Sequence, residues 1–268
     1  MRGTALSLER FRSILDEIGR DHRFVDEDEA SETLRRRSAT DRTCWVTIDD
    51  GYRDTVDVVL PELTRRRITA SLFITTGILS GSWRFPVDDW YATLRGATRR
   101  RPLLSELGCP ARAVDLDNPM DFSTLVDGPE KRAYVNSAPE TQRSRLAQLA
   151  NLLQSRDVPA PALLTRGDLQ VLADAGWRIG GHGRTHRVFG ARDGDTEALR
   201  HEVLGSHADL AAFGATRSCW FAWPDGVVGA GAARWLAGEA SRAGLVGALS
   251  LATDEYRNGF SVAREFMR

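Results

Sequence analysis

The stretch Cys44-Trp45-Val46-Thr47-Ile48 runs straight into Asp49-Asp50-Gly51. β-Branched and aromatic residues mark a buried strand, and the glycine turns the chain away after two acids. Two adjacent carboxylates at the end of a buried strand repel each other and call for a counter-charge, most simply a metal ion. The next two segments constrain the fold. Val56, Val59, Leu60 and Leu63 lie at helical spacing in 54–67, with Pro61 kinking the helix or marking a boundary. Residues 68–77 read as a second buried strand. Strand, helix and strand over about thirty residues form a βαβ unit, whose strands are parallel.

The alternation resumes later in the chain. Leu169, Leu172 and Ala173 share a helical face that ends at Gly176, and a short strand over 177–181 stops at His182. A helix over 195–213 precedes a strand over 216–223, which is stopped by Pro224-Asp225-Gly226. A helix over 230–243 and strands over 245–251 and 260–266 complete the chain. Near the N-terminus, Leu8, Phe11, Leu15 and Ile18 mark a helix capped by Ser7, and 26–37 reads as a polar helix. This is the pattern of an α/β fold with a mostly parallel sheet, open or closed into a barrel.

Residues 80–162 depart from it. Trp83, Phe85, Trp90 and Tyr91 cluster there, and a long helix spans 139–156. This insertion is either a lid whose aromatics stack on a substrate ring, or a covering helical pair packed by those same aromatics.

The 268 residues suit one large domain or two small ones. A net charge of −1 gives no electrostatic case for nucleic acid or an anionic membrane surface. Three scattered cysteines make no disulfide framework, and no apolar run is long enough for a signal peptide or a membrane span. The expectation is a reduced, cytoplasmic protein.

Three strand ends carry unusual residues: Asp49-Asp50, His182 with His186, and Trp223-Pro224-Asp225-Gly226. In parallel α/β folds such ends meet on one face. His182 and His186 converge on one cation if the loop between them turns tightly, which Gly183 allows, and Thr185 can bond within the loop or to an imidazole. Two imidazoles and one carboxylate form a common ligand set for a divalent metal. The other carboxylate is then free to act as a base on water, which points to metal-assisted hydrolysis of an acyl group. An isolated Asp-Asp or His-x-x-x-His is commonly a solvated surface feature; the three together, in this order, are not. His201 and His207, six apart on a polar helix, are expected to be solvated.

Thr47-Ile48-Asp49-Asp50-Gly51-Tyr52, Gly181-His182-Gly183-Arg184-Thr185-His186 and Phe221-Ala222-Trp223-Pro224-Asp225-Gly226 resemble the first three motifs of the polysaccharide deacetylases. This is the NodB-like family, carbohydrate esterase family 4. The resemblance covers about residues 43–80 and 163–266. It implies a distorted (β/α) barrel with fewer than eight repeats, here a single domain over 1–268 carrying the 80–162 insertion. It implies Asp49 as general base, with Asp50, His182 and His186 holding a divalent metal, usually zinc. It also implies that the backbone N–H of Asp225 donates to an oxyanion, that Trp223 shapes the groove, and that Tyr52 lies in the substrate site. The reaction would remove an N-acyl group, usually acetyl, from an amino sugar.

The departures from the family pattern are informative. Ala222 stands where many members have an arginine that orients the catalytic aspartate, and Arg264 is the candidate to supply that charge. Asp225 replaces a residue that is usually aromatic, putting a negative side chain near the mouth that favours a cationic or polyhydroxyl substrate. No histidine follows His207, so the family's late general acid has no counterpart. Either Asp49 returns its proton to the amine, or another residue such as Asp254 serves, or turnover is slow. The N-terminal strand common among relatives is short or absent before Ser7. The expected substrate is a small or lipid-linked amino-sugar intermediate, as in a specialised biosynthetic pathway. Open alternatives are a deformylase or cyclic amide hydrolase on the same scaffold, and a carbohydrate-binding relative without turnover.

Overall fold

A computed structural model describes residues 6–36, 42–103, 113–135, 137–190 and 195–251. It divides into two compact units, one formed by Met1–Trp83 with Ala162–Arg268 and the other by Arg84–Pro161.

The first unit is built on six parallel strands: β1 (Arg23–Val25), β2 (Thr43–Asp50), β3 (Ala70–Ile74), β4 (Arg178–Gly181), β5 (Arg217–Ala222) and β6 (Gly247–Leu249). Their spatial order is their chain order. A parallel sheet that never reverses its order sends every crossover the same way, so helices cover one face and the sheet curls around the other. The result is a half-barrel of the NodB type. Trp45, Phe73, Trp220, Ala222 and Leu249 pack together on the sheet. Phe189, Leu199, Val203, Phe221, Trp223 and Leu236 form a second core that includes α9 (Thr196–Leu199) and α11 (Ala230–Ala243).

Helix α1 (Leu8–Asp21) opens the chain, with Ser7 accepting from the Arg10 N–H as its cap. The strand β1 behind it is three residues long, and no pattern in the sequence marks it. Helix α2 (Glu27–Arg36) is polar in sequence but seals the base of the sheet. Its Ser31 hydroxyl accepts from the Trp220 indole N–H at 2.8 Å, and Glu27 accepts from Ser71 Oγ and the Cys219 N–H. Burial and the nearby Glu27 push the Cys219 thiol up to about 11, which favours the thiol over the thiolate.

The helix expected over 54–67 begins as a π-helical turn, Thr55–Val59, and continues as α3 (Leu60–Arg65). Pro61 sits where the π turn passes into α3, so its missing N–H falls at that junction. The helix expected over 195–213 runs without a break from Thr196 to Asp209, with a π turn (Arg200–Leu204) between α9 and α10 (Gly205–Asp209). Helix α8 (Arg166–Asp174) has a complete capping box between Thr165 and Asp168. The strand expected over 260–266 lies outside the described residues.

The second unit holds α4 (Pro86–Gly96), α5 (Pro119–Asp127), α6 (Pro129–Val135) and α7 (Pro139–Leu153). Trp90, Leu94, Leu116, Leu125, Tyr134, Leu149 and Leu153 are buried together as its own core.

Candidate metal centre

Strand register brings the three motifs to one level. Asp50 pairs with Ile74, Ile74 with Gly181, and Gly181 with Phe221. His182 follows Gly181 directly, and Ala222 follows Phe221. The row therefore ends in Asp50, His182 and the third motif on the same edge, as parallel pairing requires.

Backbone geometry then aims the side chains. In a regular strand Asp49 and Asp50 would point to opposite faces. Asp50 has φ 73°, which breaks the pleat and turns its carboxylate out of that alternation. His186 (φ 59°) and Asp225 (φ 54°) are also left-handed. A left-handed non-glycine residue costs about 1–2 kcal/mol, and such strain gathers where function over-determines the backbone. Gly51 at φ 111° and Gly183 at φ 82° make the turns beside them. A Cβ on Gly183 would stand 2.9 Å from Glu202 Oε2, so a side chain there would be strained by the backbone and would displace that carboxylate.

Asp50 Oδ1 lies 3.2 Å from His186 Nε2 and 3.5 Å from His182 Nε2. All three ligand atoms fall within 4.8 Å of one another. Asp50 Oδ1 is buried yet accepts no hydrogen bond. An orphaned carboxylate oxygen facing two imidazole nitrogens suits three donors sharing a divalent cation. His182 is 2% exposed, and its Nδ1–H donates to the Ala222 carbonyl at 2.9 Å. That bond fixes the tautomer and leaves the Nε2 lone pair directed at the centre. Ala222, which cannot replace an arginine by its side chain, thus serves the site through its backbone.

Electrostatics agree with this arrangement. Burial pushes the Asp50 carboxyl up, but His186 and His182 beside it bring it below the usual range. Burial pushes His186 down, yet Asp50, Asp225 and Asp49 raise it on balance. Asp49 reaches solvent at the strand end, while the protein around it strips hydration and raises its carboxyl; His182 and His186 oppose that and Asp50 adds to it. Asp49 makes no hydrogen bond or ion pair through its carboxylate among the described residues.

The His182–His186 loop is clamped by residues that no motif marks. Glu202, buried on its π turn, accepts from the Arg184 N–H and the Thr185 N–H at 2.8 Å each through Oε2, and from Thr185 Oγ at 2.7 Å through Oε1. Asp209 takes the Arg184 guanidinium in a two-point ion pair at 2.7 and 2.8 Å and accepts from Thr76 Oγ. Thr185 therefore serves Glu202 rather than an imidazole. A π turn inside a helix is a recurrent mark of functional sites, but it has no sequence signature that could have exposed Glu202.

Other expected site residues lie elsewhere or serve differently. The ring of Trp223 is 2% exposed and packs edge-on to Phe189 and Phe221, so it belongs to a core and lines no groove. Trp90 is 3% exposed, donates its indole N–H to the Leu125 carbonyl at 2.9 Å and has no face left for a sugar. Tyr91 packs against the same core. Tyr52 is half-buried and bridges to Leu163. Trp83 packs over Gly77, whose N–H donates to the Arg184 carbonyl, and so comes beside the metal loop. His207, expected in solvent, is buried, and burial together with Arg217 pushes its imidazole down to about 4. Arg264 and Asp254 lie outside the described residues.

No protein-family model matches the chain, and no curated protein matches it. Solved structures do. One is IcaB from Ammonifex degensii, 14% identical over 92% of this chain and 76% of that one, with a TM-score of 0.55. Another is a de-N-acetylase from Aggregatibacter actinomycetemcomitans, 11% identical over 95% of this chain and 81% of that one, with a TM-score of 0.54. At these identities the likeness is one of fold. By its fold, this chain resembles these two proteins.

Proposed function

We propose that this chain is a divalent-cation-dependent hydrolase that removes an N-acyl group, acetyl above all, from an amino sugar. The observation that supports this reading most directly is the convergence of Asp50, His182 and His186, with Asp49 free beside them. Asp50 Oδ1 and the two Nε2 atoms would hold the cation, zinc being the first choice for that donor set. When bound, the cation would supply Lewis acidity to the acyl carbonyl and acidify water.

The chain's own groups complete the chemistry. Asp49 accepts the proton of the attacking water, a task its raised carboxyl pKa suits. The Asp225 backbone N–H donates to the oxyanion that forms as the carbonyl carbon becomes tetrahedral. As the C–N bond breaks, Asp49 returns the proton to the departing nitrogen. The products are a carboxylate and a free amine. Trp83 offers an aromatic face beside the metal loop for a sugar ring. The substrate is a small or lipid-linked amino-sugar intermediate.

Zinc-reconstituted protein incubated with N-acetylated amino sugars should release acetate. Asp49→Asn should abolish release while zinc binding persists. Full activity in that variant would reject the mechanism.

A further inference from the structure

We propose that the Asp225 side chain selects a substrate carrying a free ammonium group close to the acylamide, and rejects one carrying phosphate there. This rests on the deacylase reading above and goes further by naming the charge of the substrate.

Asp225 occupies the turn Pro224–Gly226 at the end of β5. Pro224 of that turn lies against the metal loop: a Cβ on Gly183 would be 3.7 Å from Pro224 Cγ. Ala222, three residues earlier, holds His182. The turn is thereby part of the wall of the centre. At φ 54° Asp225 departs from regular backbone, and its side chain is exposed.

Asp49 and Asp50 together balance one divalent cation, and both imidazoles are neutral as ligands. Asp225 is a third carboxylate and is surplus. The nearby arginines are committed: Arg184 to Asp209, and Arg187 to Asp195 at 3.7 Å and to the face of Phe189. Asp225 makes no ion pair among the described residues. An exposed carboxylate with no ion-pair partner among the described residues, on the wall of a site, attracts a cation and repels an anion over several ångströms. Of an amino sugar's functional groups, the cation is a second, unacylated amine. The anion is a phosphate, so of the two substrates proposed above the small, phosphate-free intermediate is favoured over a pyrophosphate-linked lipid.

The test compares two probes, N,N′-diacetylchitobiose and its half-deacetylated form, on zinc-loaded wild type and Asp225→Asn. Asparagine tolerates left-handed backbone and keeps the N–H, so the variant removes charge with the turn intact. Wild type should favour the half-deacetylated probe in kcat/KM, and Asp225→Asn should reduce that preference about fivefold, as should high salt. An unchanged preference, or an equal loss on both probes, would overturn the inference. If wild type hydrolyses neither probe, the deacylase reading fails on its own account. Calorimetry then decides the role of the charge: glucosamine should bind wild type more tightly than Asp225→Asn, and equal affinity would overturn it.

Discussion

Replacing Glu202 by alanine should weaken metal binding without touching a ligand. The carboxylate fixes the stretch between His182 and His186 through three bonds, two from backbone N–H groups at 2.8 Å and one from Thr185 Oγ at 2.7 Å. A charge-assisted bond of this kind contributes about 1.5–3 kcal/mol, and an orphaned buried donor costs about 1–3 kcal/mol. Thr185 is exposed, so water can recover part of the loss. A net cost near 2 kcal/mol in holding His186 in place follows, which is about 30-fold in Kd. Glutamine keeps one acceptor for both N–H groups and can donate to Thr185 Oγ, but it loses the charge; about fivefold is expected. Isothermal titration of the metal-free protein with Zn²⁺ reads both variants. Wild-type affinity in a folded Glu202→Ala protein would refute the clamp. Should that variant fail to fold, an undiminished affinity in Glu202→Gln would do the same.

Two further outcomes follow from burial. His207 sits neutral in the fold with its imidazole pushed down to about 4, against an ordinary value near 6.5 when unfolded. Between those values the unfolded chain binds the extra proton, so stability is lost as pH falls. The loss is about 3 kcal/mol from pH 7 to pH 4, measured by urea unfolding, and His207→Gln should be less acid-sensitive by that amount; equal slopes would count against it. Trp90→Ala should cost about 3–5 kcal/mol of stability in the 84–161 unit with Zn²⁺ affinity unchanged. A raised KM with unchanged stability would instead restore the stacking role to Trp90.

Much of the centre is legible in the sequence because its logic is local. β-Branched residues announce β2, glycines announce its turns, and parallel strands bring their C-terminal ends to one edge whatever packs behind them. These features alone assign Asp49, Asp50, His182, His186 and the third motif to one face. The tryptophans mislead for the opposite reason. Trp90 reads as a sugar platform and Trp223 as a groove wall in sequence, but an aromatic ring suits a core equally well, and only the packing around it decides which.

Tertiary structure alone supplied what depends on partners distant along the chain. The Ala222 carbonyl that orients His182 is forty residues away from it, and Glu202 is about eighteen from the loop it holds. A backbone carbonyl carries no identity in a sequence, and one glutamate on a polar helix resembles any other. His207 shows the same limit, since its polar neighbours suggest water and the fold places it inside. The sequence by itself determined which residues meet, because strand order and turn chemistry are written in adjacent positions. The folded chain determined how they are held, because hydrogen bonds and burial belong to the surroundings each side chain finds there.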